Sequence, residues 1–188
     1  LCTLIKGVME KVTLHDKTFR LLYSYEELCE AVEKCAEKIS ADYNDKEPLF
    51  ISVLNGSFMF TAELMKRINV PKGEVCFIKV SSYQDMESTG TVSHLIGLNR
   101  SIVGRDIVIV EDMVDSGCSM YNLVNKFKED GARSIGIASM FIKPNALKYP
   151  ITVNYVGKEL ENDFVVGFGL DYNEYGRQLP DLYVLDEN

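Results

Sequence analysis

The stretch Ile107–Met120 reads IVIVEDMVDSGCSM. Its first four residues are all β-branched, the pattern of a strand buried on both faces of a parallel sheet. That strand, predicted over Ile107–Val110, runs into two adjacent acids, Glu111 and Asp112. Three residues on, Asp115, Ser116, Gly117, Cys118 and Ser119 make a small hydroxylated loop that enters a helix predicted over Ser119–Asp130. Adjacent carboxylates at a strand's end suit sugar hydroxyls or a hydrated divalent cation. A loop opening into a helix presents backbone N–H groups and a positive dipole end, which together attract an anion. Gly117 lets the backbone approach a phosphate closely. Taken alone, Asp115-Ser116-Gly117 reads as a helix cap; the whole string of strand, acids and hydroxyl loop is far more specific.

Strands and helices alternate on either side of this stretch. Upstream, Ser24 followed by Glu27 fits a capping box, and Leu28, Ala31, Val32, Cys35 and Ile39 then recur at helical spacing to give one buried face. Leu49–Leu54 reads as a short apolar strand, Ser57–Ile68 as a helix, and Glu74–Ser81 as a strand with Val75, Phe77 and Ile78 inward. Residues 84–90 are polar and breaker-rich, hence a loop. Downstream, Ile135–Ile142 is the next strand, with shorter candidates at Thr152–Val156, Phe164–Phe168 and Leu182–Leu185. This alternation implies right-handed βαβ units. The expected fold is therefore α/β: an open, mostly parallel sheet of about five strands flanked by helices, with ligands at the carboxyl ends of the strands.

The chain has 188 residues, 46% hydrophobic and 26% charged, which is ordinary globular composition and enough for one domain without a staple. Its net charge of −8 argues against broad binding to nucleic acid or anionic membrane. Five cysteines, an odd number without a C-x-x-C spacing, read as reduced cytosolic thiols rather than a disulfide framework or a zinc site. No apolar run reaches the ~18 residues of a membrane span, and Leu1–Val12 reads as too short and too charged for a secretory leader. A cytoplasmic location is the expectation.

The 107–120 string resembles the phosphoribosyl-pyrophosphate signature of type I phosphoribosyltransferases, and its Glu-Asp-x-x-Asp-Ser-Gly form is most similar to the hypoxanthine-guanine branch. Three further stretches agree, in the same order along the chain. Leu54-Asn55-Gly56-Ser57 looks like the family's pyrophosphate loop. Ser82-Tyr83 resembles the start of its mobile lid. Asp163-Phe164-Val165-Val166-Gly167, followed by Leu170-Asp171-Tyr172-Asn173-Glu174-Tyr175 and Arg177, resembles its purine-binding hood. The resemblance covers roughly Leu49 to the end. It implies one domain over 1–188, with a core over about 20–150 and 180–186 and a small C-terminal hood, mainly 151–180, completed by the N-terminal segment.

The resemblance also implies roles. Glu111 and Asp112 would meet the ribose hydroxyls, directly or through Mg²⁺, and Asp115 would be the general acid/base at purine N7. The Asp115–Ser119 loop (Ser116, Gly117, Cys118 and Ser119) would hold the 5′-phosphate. Lys143 would donate to the purine O6, selecting oxo- over amino-purines. Phe164 would stack on the base, and the Val165 backbone would read its edge. Asp171 would serve a second Mg²⁺, and Arg177 would neutralise pyrophosphate. Leu54, Asn55 and Gly56 would bind pyrophosphate through a strained Leu54–Asn55 peptide, open to the cis form. Ser82 and Tyr83 would close over the reaction and exclude water. Some relatives carry Lys where Asn55 and Cys118 stand, which puts anion affinity, not base chemistry, in question. A thiol at a helix N-terminus is activated, so modification of Cys118 is expected to block the phosphate site.

The expected reaction is transfer of the phosphoribosyl group from phosphoribosyl pyrophosphate to N9 of hypoxanthine or guanine, in a homodimer or homotetramer. Walker and dinucleotide loops are absent. A serine hydrolase would need a histidine at a strand end, and His15 and His94 are not so placed. A phosphoribosyltransferase-fold regulator that binds nucleic acid is disfavoured by the acidic balance and by retention of both Asp115 and the hood. Adenine and orotate transferases share the sugar-donor loop but are set apart by Lys143 and the Phe164–Asp171 segment.

Overall fold

The computed structural model describes residues 9–81 and 94–187. Ten strands and three α-helices follow in order: β1 (Lys11–Leu14), β2 (Lys17–Tyr23), α1 (Tyr25–Tyr43), β3 (Leu49–Leu54), α2 (Phe58–Arg67), β4 (Glu74–Ser81), β5 (His94–Ile96), β6 (Asp106–Val114), α3 (Cys118–Glu129), β7 (Ser134–Ile142), β8 (Tyr155–Glu159), β9 (Val165–Gly167) and β10 (Leu182–Leu185).

The larger sheet has the order β5-β4-β3-β6-β7-β8. Its inner pairings are all parallel, and only β5 runs antiparallel, beside β4. Alternate residues of each strand face opposite sides, and both sides are covered. Phe50, Val108, Val110, Ala138 and Met140 pack under α1 and α2. Ile51, Ile107, Ile109 and Ile137 pack with Met120, Leu123 and Phe127 of α3. Helix α1 begins as its sequence dictates: the Ser24 hydroxyl accepts from Glu27 N, and the Glu27 carboxylate accepts from Ser24 N at 2.8 Å. All five periodic residues of its apolar face are buried. The open, mostly parallel sheet flanked by helices is the fold the sequence predicts.

The smaller sheet, β1-β2-β10-β9, is antiparallel throughout and forms the hood. It shares the α1–α2 core through Val165, Phe168, Leu182 and Val184. Val12, Phe19, Val166 and Tyr183 make a second small core on its other side.

Four details depart from the sequence reading. First, residues 180–186 are expected in the core; Leu182 and Val184 do pack there, but as β10 they pair with β2 and β9 in the smaller sheet. Second, the strand expected at Thr152–Val156 begins at Tyr155 and joins the large sheet. Asn154 holds Ile137 from both sides, its Oδ1 accepting from Ile137 N at 2.8 Å and its N–H donating to Ile137 O at 2.9 Å, so the ladder starts one residue later with Tyr155 opposite Ala138. Third, Val75 and Phe77 point outward, 40% and 44% exposed, while Cys76 and Ile78 are buried. Val75 pairs with Phe50 and Phe77 with Ser52, which places both on the α1–α2 face, but α2 packs over β3 and β6 and leaves them uncovered. Fourth, β6 continues past Val110 to Val114, so Glu111 and Asp112 sit within the strand. Among the described residues no helix is long and apolar enough to cross a membrane.

Candidate active site

The carboxyl ends of β3, β6 and β7 open toward one side of the large sheet, as in other parallel sheets. Beyond β6, Asp115 is exposed and Gly117 caps α3 in a left-handed conformation (φ 82°). Ser116 O accepts from Lys148 N at 2.9 Å, and a Cβ on Gly117 would sit 3.0 Å from Ile151, so the segment after β7 braces the loop from behind. A cavity of about 310 Å³ lies in front, lined by Val53, Glu111, Asp115 and the Ser116–Ser119 turn. Glu111, Asp115 and the hydroxyl loop therefore share one concavity, with Asp112 next to Glu111 outside its lining.

Glu111 is buried, and its carboxyl is held well above the usual carboxylate range, first by burial, then by a hydrogen bond with Asp112 and by that neighbour's charge. Asp112 Oδ1 accepts from Met113 N at 2.8 Å. Its Oδ2 lies so close over the 54–57 loop that a Cβ on Gly56 would come within 1.4 Å of it. The Leu54–Asn55 peptide in that loop is cis, as the resemblance suggested.

The hood closes the third side. Gly169 (φ 100°) packs directly on the same loop; a Cβ there would lie 2.0 Å from Gly56 O. Lys143, just past β7, donates from Nζ to Asp163 O at 2.7 Å, tying the core strand to the start of the hood segment. Phe164 is 41% exposed, with Tyr172 edge-on at 5.5 Å, while Val165 is buried. Arg177 pairs with Asp171 at 2.6 Å and donates to Gly169 O at 2.9 Å. Its Nε is buried without a hydrogen-bond partner among the described residues. Asp171 Oδ2 also accepts from Glu174 N at 2.8 Å.

The structure thus brings Glu111, Asp112, Asp115–Ser119, the 54–57 loop and Gly169 together, and places Lys143 with Asp163–Val165. Asp171 is engaged with Arg177 rather than grouped with the other acids. Ser82 and Tyr83 lie outside the described residues. Neither Gly169 nor Ser52 and Thr61, which underlie the 54–57 loop, stood out in the sequence. Gly167-Phe168-Gly169 was the available signal, since paired glycines mark close backbone approach.

Among the described residues no group of three or more His, Cys, Asp or Glu could hold a metal ion. A Mg²⁺ that arrives with substrate phosphates needs only one or two protein carboxylates. Adjacent oxygen donors on Glu111 and Asp112, one of them a buried carboxyl that a nearby cation would help ionise, fit that requirement.

Fold and site together define a type I phosphoribosyltransferase architecture. Residues 22–173 match the phosphoribosyl transferase domain, and the chain belongs to that family. It is 43% identical over 169 residues to the hypoxanthine-guanine phosphoribosyltransferase of Streptococcus pyogenes serotype M3, covering 89% of this chain and 93% of that one. To the enzyme of the same name from Streptococcus agalactiae serotype V it is 40% identical, with the same coverage. Among solved structures, a hypoxanthine phosphoribosyltransferase from Staphylococcus aureus superposes with a TM-score of 0.80 at 32% identity, over 89% of this chain and 91% of that one.

Proposed function

We propose that this chain is a purine-salvage transferase that moves the 5-phosphoribosyl group of phosphoribosyl pyrophosphate to N9 of hypoxanthine or guanine, giving IMP or GMP and releasing pyrophosphate. The observation that carries this reading is the contact of three segments in sequence: the acids and hydroxyl loop at the end of β6 line the cavity, Asp112 beside them lies against Gly56 of the 54–57 loop, and the hood stacks on that loop through Gly169. The names of the relatives point to the same reaction.

In the reaction the bond from C1′ to pyrophosphate breaks, the bond from C1′ to N9 forms, and the base loses a proton. Asp115, exposed at the cavity, would take that proton at N7 and return it in the reverse direction; a positioned acid/base contributes about 10²–10⁴-fold. Ser116–Ser119 and the α3 N-terminus would hold the 5′-phosphate. The backbone of Leu54, Asn55 and Gly56, with Arg177, would receive pyrophosphate. Lys143, already fixed to Asp163 O by one of its three protons, would direct another toward the purine O6. Phe164 would cover the base face, with the Val165 backbone at its edge. Mg²⁺, when bound, would supply positive charge at the ribose hydroxyls and the leaving pyrophosphate; Glu111 and Asp112 would hold one ion and Asp171 a second. Ser82 and Tyr83 would belong to the closing lid. The setting proposed is a cytoplasmic homodimer or homotetramer.

A spectrophotometric transfer assay with phosphoribosyl pyrophosphate, Mg²⁺ and, in parallel, hypoxanthine, guanine, xanthine, adenine and orotate tests this. Turnover of hypoxanthine or guanine that a chelator abolishes is the expected result. Sugar-donor binding with no turnover of any base would point instead to a regulator.

A further inference from the structure

Beneath the 54–57 loop lie three fully buried hydroxyls, those of Ser52 in β3, Ser57 at the α2 N-cap and Thr61 one turn later. Thr61 Oγ1 is 2.8 Å from Ser52 Oγ, Ser52 Oγ is 2.7 Å from Ser57 Oγ, and Ser57 Oγ is 2.6 Å from Val53 O. Each hydroxyl carries one proton, and a carbonyl can only accept. The direction of the chain follows. Ser57 donates to Val53 O and so must accept from Ser52; Ser52 has then used its proton and must accept from Thr61. The chain has one polarity, Thr61 to Ser52 to Ser57 to Val53, and ends on the carbonyl just before the loop.

Two features say that this chain does more than fill the core. A serine at an N-cap ordinarily accepts from an N–H of the first helical turn and stabilises the helix. Ser57 makes no such bond and turns back to Val53 instead. Ser52 in the otherwise apolar β3 and Thr61 in α2 are also dispensable to packing, since apolar groups of the same shape can replace a bonded pair almost without cost. The loop that the chain clamps is the one on which Asp112 and Gly169 rest.

We propose that Ser52, Ser57 and Thr61 are positioning residues that fix the 54–57 backbone for the pyrophosphate end of the sugar donor. The inference rests on the function proposed above. None of the three touches the substrates; they act through Val53 and the turn that follows it. Loss of the last link should matter most, because Ser57→Ala frees Val53 O. Ser52→Ala leaves that link in place but removes the donor behind it, and Thr61→Val removes only the head of the chain.

The test is steady-state kinetics with each substrate varied, plus pyrophosphate binding by calorimetry, on Ser57→Ala, Ser52→Ala, Thr61→Val and Thr61→Ser. Ser57→Ala should raise the sugar-donor KM and the pyrophosphate Kd by about tenfold, the scale of one lost hydrogen bond, with the purine KM unchanged. Ser52→Ala and Thr61→Val should follow in decreasing order, and Thr61→Ser should match wild type. An unchanged sugar-donor KM in folded Ser57→Ala, or in Ser52→Ala if the former does not fold, overturns the inference. Parallel rises in both KM values, or equal effects of Thr61→Ser and Thr61→Val, do the same, because they mark a general structural role. Wild-type protein that binds neither sugar donor nor pyrophosphate overturns the functional reading and the inference with it; wild-type transfer with donor-insensitive variants overturns the inference alone.

Discussion

Replacing Gly169 with alanine tests whether the hood and the 54–57 loop work as one rigid unit. Two costs arise. The backbone at Gly169 has φ 100°, which L side chains rarely adopt, and holding such a conformation costs about 1–3 kcal/mol. The added Cβ would also lie 2.0 Å from Gly56 O and 3.1 Å from Gly56 C. Both of these are backbone atoms, so no rotamer change relieves the overlap; the loop and the hood must part by about 1 Å, a displacement on the scale that costs roughly 10²-fold in rate. Gly104 supplies the control: it also has positive φ, but an added Cβ meets nothing within 4 Å. Both variants should lose stability, lowering Tm by roughly 2–10 °C. Only Gly169→Ala should lose kcat/KM for the sugar donor, by about 10²-fold, measured by initial rates against thermal unfolding of the same samples. A folded Gly169→Ala protein with wild-type kcat/KM would refute the claim that this contact sets the loop.

Asp115→Asn should lower kcat by about 10²–10⁴-fold with little change in sugar-donor binding; wild-type turnover would remove the acid/base assignment. Asp106, buried at the start of β6, is held down to about 2 from its ordinary 3.8, chiefly by the Arg133 guanidinium and also by the Ser134 hydroxyl, which donates to it at 2.6 Å. A depressed carboxylate stabilises the fold at pH above its unfolded value, and that contribution is lost as pH falls through the folded value. Arg133→Ala should therefore move acid unfolding to higher pH; superimposable far-UV dichroism titrations would contradict the pairing. Alkylation of Cys118, which lines the cavity beside Asp115, should abolish activity and be slowed by sugar donor, while burial pushes the Cys35 thiol up to about 11 and raises that of Cys76, leaving both poorly reactive. Full activity after complete modification of Cys118, followed by mass spectrometry, would rule this out.

Much of the fold was legible because its signals are local. The Ser24–Glu27 box and the apolar face behind it lie within a few turns of one helix, and β3, β4 and β10 begin and end where their sequences say. The site's central string was equally legible, since strand, acids, loop and helix follow one another without a break. Legibility failed where a residue's partner is distant in sequence. Asn154 delays β8 through contacts with Ile137, and Val75 and Phe77 face outward because α2 packs elsewhere. The β1–β2 hairpin escaped a strand prediction for a related reason: its place depends on β10, more than a hundred residues away.

The sequence by itself determined the α/β class, the parallel order implied by alternating elements, and the residue types and spacing of the acid-and-hydroxyl string, because each follows from periodicity or from contiguous chemistry. Only the tertiary structure decided which sheet Leu182–Leu185 joins, that Gly169 rests on Gly56, that Asp171 holds Arg177, and that three hydroxyls line up beneath the 54–57 loop. The physical reason is range. Side-chain direction and hydrogen bonding at these positions are set by close approach between segments far apart in sequence, which residue spacing alone does not encode.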